Sequence, residues 1–199
     1  MTPDIIRDNL THSALNPAFS KIVQITFLKG LMFVALSLLI ASCSTKPSPD
    51  NCPKCVDPRP EVAQMLNLVN QARATSRVCG STTMPATTPL SLNDRLITAA
   101  QKHSEDMRLA GKMSHTTPAG AKHYAPGTLF DQRILQEGYI YHSVAENVAE
   151  GYNSAAEVME AWLSSPGHCQ NIMSVAFSEV GFGYDGDYWT QDFASLLNP

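Results

Sequence analysis

Three polar residues stand where the local sequence pattern gives them no structural task. His115 lies in Met113-Ser114-His115-Thr116, just past the end of an apolar periodic run. Glu146 interrupts Val144-Ala145-Glu146-Asn147-Val148, and His168 follows Ser165-Pro166-Gly167. Two imidazoles and a carboxylate from separate segments can converge in a cleft, where they hold a divalent ion or move protons. A Zn²⁺ held by His115, His168, Glu146 and water is one such arrangement; Glu146 acting as general base on a bound water is another. No G-x-S-x-G elbow, H-E-x-x-H helix, Walker loop or Gly-rich dinucleotide turn occurs in the chain, which removes the common hydrolase and nucleotide-binding signatures.

The other polar candidates have ordinary tasks. His103 faces the core stripe of a helix and reads as a hydrogen-bonded core histidine, whereas His123 and His142 lie in polar stretches and read as solvated. Glu157 belongs to a capping box, Glu150 to an exposed face, and Asn147 to the backbone ordering of its neighbours. Trp162 and Trp189 read as core anchors.

The elements that must position the trio follow from periodicity. Glu61 to Ser76 carries Val62, Met65, Leu66, Val69 and Ala72 at helical spacing. Arg77 to Pro89 is rich in Thr, Gly and Pro and reads as a loop. Ser91-Leu92-Asn93-Asp94 is a capping pattern that opens a helix with Leu96, Ala99, Ala100, His103 and Met107 on one stripe, ended by Gly111. Leu129 to Glu137 predicts a short helix, and Val144 to Val148 a brief strand. Ser154-Ala155-Ala156-Glu157 opens a further helix that breaks at Ser165-Pro166-Gly167, and Pro166 starts another that holds His168. Glu179 to Tyr184 and Tyr188 to Phe193 flank Asp185-Gly186 as a hairpin. Helices in front and in the middle with a late antiparallel hairpin make the class α+β.

Four stretches, Ser114-His115, Ala145-Glu146-Asn147-Val148-Ala149, Trp162 to His168 and Tyr188-Trp189-Thr190-Gln191, together resemble the CAP superfamily of cysteine-rich secretory, antigen 5 and pathogenesis-related proteins (the SCP domain) in its bacterial branch. The resemblance runs from about Glu61 to Ser195. It implies an α-β-α sandwich, a small antiparallel central sheet flanked by helices, with a cleft holding two histidines and two acids. His115 and His168 match the histidines and Glu146 the first acid; Ser165 stands at the place of the second, so three of the four are kept. Divalent-metal binding and lipid binding belong to some members, and peptidase activity is claimed for a few. Two readings follow: a ligand-binding or interaction module, and a zinc-dependent peptidase in the same cleft.

Ahead of this domain, Leu31 to Ala41 is an eleven-residue apolar core preceded by Lys21 and Lys29, the layout of an export signal and short for a spanning helix. Ile40-Ala41-Ser42-Cys43 resembles the lipobox of bacterial lipoproteins. The expected organisation is therefore a signal peptide over 1–42, a lipidated Cys43 and proline-rich tether over 43–60, and the folded domain over 61–199. Acylated Cys43 makes the membrane a partner, with an envelope protein or lipid as the second. Ser44 after the cysteine implies the outer membrane in a diderm cell. An oxidising compartment and four remaining cysteines allow three pairings, of which Cys52–Cys55 and Cys79–Cys169 are expected; Cys79 with the cysteine after His168 also resembles a bacterial lipoprotein variant. The 199 residues carry a net charge of −4 and no Lys/Arg block, which argues against a nucleic-acid partner bound through a basic face.

Overall fold

The structure, a computed structural model, describes residues 60–197. The leader, Cys43, the tether and the Cys52–Cys55 pair lie outside the described residues. In chain order the elements are α1 (Pro60–Arg73), β1 (Arg77–Cys79), β2 (Thr82–Met84), β3 (Ser91–Leu92), α2 (Asp94–Ala110), α3 (Phe130–Gln136), β4 (Tyr141–Glu150), α4 (Ala155–Ser164), α5 (Pro166–Met173), β5 (Glu179–Asp185) and β6 (Tyr188–Leu196).

A four-stranded sheet in the order β3-β5-β6-β4 divides two helical layers. β5 and β6 form the expected hairpin, closed by Gly186 and Asp187, with Gly186 at a φ of +62°. β4 runs antiparallel along β6 from Tyr141 to Glu150. Side chains alternate across a strand, and this alternation splits the core. Val144 and Ala194 join Leu96, Ala99, Ile134 and Tyr139 on the side of α2 and α3. Ala145, Ala149, Phe193, Trp189, Val180 and Phe182 pack with Met65, Val69, Val158, Trp162 and Ile172 of α1, α4 and α5. The α-β-α sandwich expected from the sequence is the fold.

Two glycines bring α2 down onto the sheet. A Cβ on Gly181 would overlap the α2 backbone at Leu96 and Ile97, and one on Gly183 would overlap it at Ala100. Seated this closely, α2 buries His103, Ser104 and Asp106 completely, and the Ser104 hydroxyl meets that of Thr190 on β6 at 2.9 Å.

The structure departs from the sequence expectations at three places. The cap of α2 is Asn93, whose side chain accepts from the Arg95 amide at 3.0 Å, because Ser91 and Leu92 are taken up by parallel pairing with Glu179 and Val180. The sheet is thus antiparallel except at its two-residue edge strand. Arg77 to Pro89 contains the hairpin β1–β2 as well as loop; its short strands are largely exposed and lack an apolar alternation. β4 is ten residues long instead of five, since its buried polar residues obscure the period.

Buried charges hold the connections. Arg73 donates to the carbonyls of Thr88, Ile172, Ser174 and Phe177 and so binds the β2–β3 loop, the last turn of α5 and the segment after it to α1. Asp106 accepts the amides of Lys122, His123 and Tyr124. Cys79 and Cys169 are joined, tying β1 to α5 across 90 residues of sequence; closing a loop of that length contributes about 4–5 kcal/mol in the chain-entropy account.

Candidate functional site

Gly111 ends α2 with a φ of +58°, and the chain turns back along its own helix. The Ser114 carbonyl accepts from His103 Nε2 at 2.7 Å, and the Ser114 hydroxyl accepts from the Thr116 amide at 3.0 Å. These bonds fix the backbone on both sides of His115. Arg133 of α3 completes the grip by donating from both Nη atoms to the His115 carbonyl at 3.3 Å.

The His115 ring meets Glu146 of β4, with Nδ1 2.9 Å from Oε1. The other oxygen, Oε2, accepts from Arg133 Nη2 at 2.6 Å. Burial alone would raise the Glu146 carboxyl. The Arg133 charge, followed by His103 and His115, outweighs it and brings the group to about 2. Glu146 is therefore ionised, so the His115–Glu146 bond is donated by His115 Nδ1–H. The His115 side chain is 22% exposed while Glu146 and Arg133 are sealed. An imidazole whose inner nitrogen is fixed by a carboxylate is the usual arrangement of a metal-binding or proton-accepting histidine.

Behind this pair lie two buried groups that the sequence did not single out for the site. His103 Nε2 is 4.0 Å from Glu146 Oε2. Burial, outweighing the Glu146 charge, lowers it to about 4. Asp192 stands opposite Glu146 in the β4–β6 register and has no accessible surface. Burial, then the Glu146 charge, push its carboxyl well above the usual range, so it is the neutral acid of the pair, and both its oxygens are buried without a hydrogen-bond partner. The cluster thus carries one Arg–Glu ion pair flanked by two uncharged groups.

His168 is the third residue of α5, in the opposite layer. Its carbonyl accepts from Asn147 Nδ2 at 3.3 Å, one residue along β4 from Glu146. The structure therefore joins His115 and Glu146 directly and ties the backbone of His168 to the adjacent residue. Ser165, at the N-cap of α5, buries its hydroxyl without a hydrogen bond and brings no acid to the cluster.

Both Glu146 oxygens are already engaged, which suits this carboxylate to orienting His115 more than to binding an ion or activating water. Among the described residues, no group of three or more His, Cys, Asp or Glu side chains is placed to hold a metal ion. A hollow of about 470 Å³ lined by Tyr152, Glu157, Glu160 and Ser164 includes none of the cluster.

Other sequence expectations resolve simply. His103 is the hydrogen-bonded core residue expected. His123 is half-buried against Glu105 at 2.7 Å rather than solvated, because the Asp106 grip on its amide turns the loop inward. His142 is exposed but lies on β4. Ser154 caps α4 by accepting from the Glu157 amide, and Glu157 returns a bond to the Asn153 amide, one residue before the cap. Trp162 and Trp189 are core anchors, bonded to the carbonyls of Val148 and Tyr152.

A three-layer sandwich whose sheet carries, on its edge strand β4, the carboxylate of an imidazole–carboxylate pair is a small domain of the CAP type. The model of the cysteine-rich secretory protein family, CAP, matches residues 66–193, and the chain belongs to that family. YkwD of Bacillus subtilis is 34% identical over 107 residues, which are 53% of this chain and 39% of YkwD. An extracellular protein containing an SCP domain from Bacillus anthracis superposes with a TM-score of 0.56 at 23% identity, over 67% of this chain and 40% of that one. An outer surface protein from Borrelia burgdorferi gives 0.50 at 18% identity, over 68% of this chain and 89% of that one. At these identities the structural likeness is one of fold. The chain spans about two fifths of YkwD. No helix among the described residues is long and apolar enough to cross a membrane.

Proposed function

We propose that this chain is an exported, lipid-anchored envelope protein whose CAP domain binds a ligand in a hollow between His115 and His168. The observation that carries the ligand site is the Glu146 carboxylate fixed between Arg133 and His115, whose side chain is 22% exposed. The export and anchoring part rests on the apolar core of 31–41 and on Ile40-Ala41-Ser42-Cys43. The B. anthracis relative, described as extracellular, supports export.

The reading of a divalent ion such as zinc as that ligand rests on His115 alone, whose bond to Glu146 holds the ring in the way metal-binding histidines are commonly held. His115 and His168 would hold the ion, with Glu146 orienting His115 and water or the ligand completing the coordination. Bound there, the ion would supply Lewis-acid polarisation of a ligand oxygen. Calorimetric titration with Zn²⁺ tests this: wild type should bind one equivalent, and His115→Ala or His168→Ala should abolish binding without unfolding the domain. No binding by the wild type defeats the metal reading.

A hydrolase in the same hollow is the second reading, favoured by the base-and-orienter geometry of His115 and Glu146. Cleavage of a peptide library, with a chelator control, tests it. Activity that survives Glu146→Gln at full rate would count against it.

A further inference from the structure

Just ahead of β4 stands an apolar residue that the fold keeps out of its core. Tyr139 and Tyr141 are buried, and between them Ile140 is 61% exposed, as alternation along an extended chain requires. The turn before it is braced by α2: Arg95 Nη1 donates to the Gly138 carbonyl at 2.5 Å, and Lys102 pairs with Glu137 at 2.7 Å. On the other side the Leu197 amide donates to the Ile140 carbonyl at 3.1 Å, and Leu196 pairs with Tyr141 across the strands. Ile140 is thus held outward, with Leu196 and Leu197 fixed beside it. Leu135, in the last turn of α3, adjoins the same turn, its carbonyl accepting from the Gly138 amide at 2.9 Å. Four of the eight exposed large apolar side chains among the described residues therefore gather at one corner, and such a gathering marks a contact surface.

The chemistry of the corner and the chain ahead of the domain select a bilayer as its occupant. A second copy or another protein would need roughly 800 Å² per partner for a stable interface, more than four half-exposed side chains supply. A bilayer contact needs far less, because acyl chains on Cys43 already hold the protein there and a weak second contact then suffices. Cys43 lies seventeen residues before Pro60, a length that reaches at most about 60 Å, against a diameter of roughly 40 Å for a domain of this size. The tether therefore lets this corner meet the membrane whichever way α1 faces. Exposed Arg95 beside the corner offers a cation to anionic headgroups.

We propose that Leu135, Ile140, Leu196 and Leu197 form a membrane-contact corner that lays the tethered domain on the bilayer in one orientation. The proposal rests on the reading that Cys43 is acylated.

The test is quenching of tryptophan emission by vesicles of phosphatidylethanolamine and phosphatidylglycerol with brominated acyl chains, using the full chain purified from bacterial membranes. Native Trp162 and Trp189 lie in the core and supply an unquenched background. Ile140→Trp should add emission that the brominated vesicles remove. Val175→Trp, at an exposed position in the segment after α5, should add emission that they leave. Both variants carry the same indole, so the difference reports position. Leu197→Trp takes the place of Ile140→Trp if that variant does not fold. Equal quenching in the two variants, or none in either, overturns the proposal. Flotation of the protein with the vesicles and the mass of its Cys43 peptide separate this from failure of the anchor: a chain that carries no acyl group and stays in solution overturns the lipid-anchored reading, and the corner's role with it.

Discussion

Arg133 and Glu146 form an ion pair of 2.6 Å with both side chains completely buried. Removing one partner strands the other charge in the interior, which costs about 3–5 kcal/mol, far more than the net worth of the pair. Arg133→Met should therefore lower unfolding free energy by about 3–5 kcal/mol, and adding Glu146→Gln should restore part of it. Urea unfolding of the single and double variants checks this; a loss under about 1 kcal/mol for Arg133→Met would show that Glu146 is not held as a charge.

The neutral state of Asp192 has a pH signature. Its native proton affinity is raised above the ordinary 3.8, so above that pH the native state keeps a proton that the unfolded chain has lost. Stability from this group falls as pH rises. Asp192→Asn removes the penalty, and the variant should gain on the wild type by about 1.4 kcal/mol per pH unit just above pH 4. A flat difference would mean an ionised Asp192.

His103 acts with the opposite sign. Its native value is lowered from 6.5 to about 4, so the unfolded chain binds the extra proton in that window. Its contribution is fully present above pH 6.5 and is lost as pH falls to about 4, roughly 3 kcal/mol in all. Denaturation curves of wild type and His103→Phe across this range should diverge in slope, the variant lacking the acid-side loss.

Gly181 is required by the approach of α2, not by its backbone angles. Gly181→Ala should destabilise by about 3 kcal/mol or more through overpacking and loosen the His103 contact behind the site. Retained stability and an unchanged His103 ring signal would contradict the packing described.

Much of this architecture was legible in the chain. Helix stripes, the Ser154 cap, Pro166 at the start of α5 and the late hairpin are local signals, and the structure bears each out. His115 and Glu146 were legible as misfits, and their contact is real. Arg133, by contrast, sits in Phe130-Asp131-Gln132-Arg133 of a polar-looking helix, where an arginine ordinarily points to water. Its burial exists only because α3 folds over β4. Asp192 and His103 were similarly hidden, since pairing across β4 and β6 and the seating of α2 on glycine are relations between distant segments. The strand β4 was underestimated for the same reason: Glu146 and Asn147 break its apolar run, and only their partners from other layers make them compatible with burial.

The proposed ligand site between His115 and His168 is tested most directly by a crystal structure of the zinc-loaded protein with an anomalous-difference map at the zinc edge. The account expects a single zinc between His115 Nε2 and the His168 ring, with Glu146 hydrogen-bonded to His115 Nδ1 and outside the coordination sphere. Zinc bound elsewhere, or the two rings facing different sides of β4 with no ion between them, would contradict it.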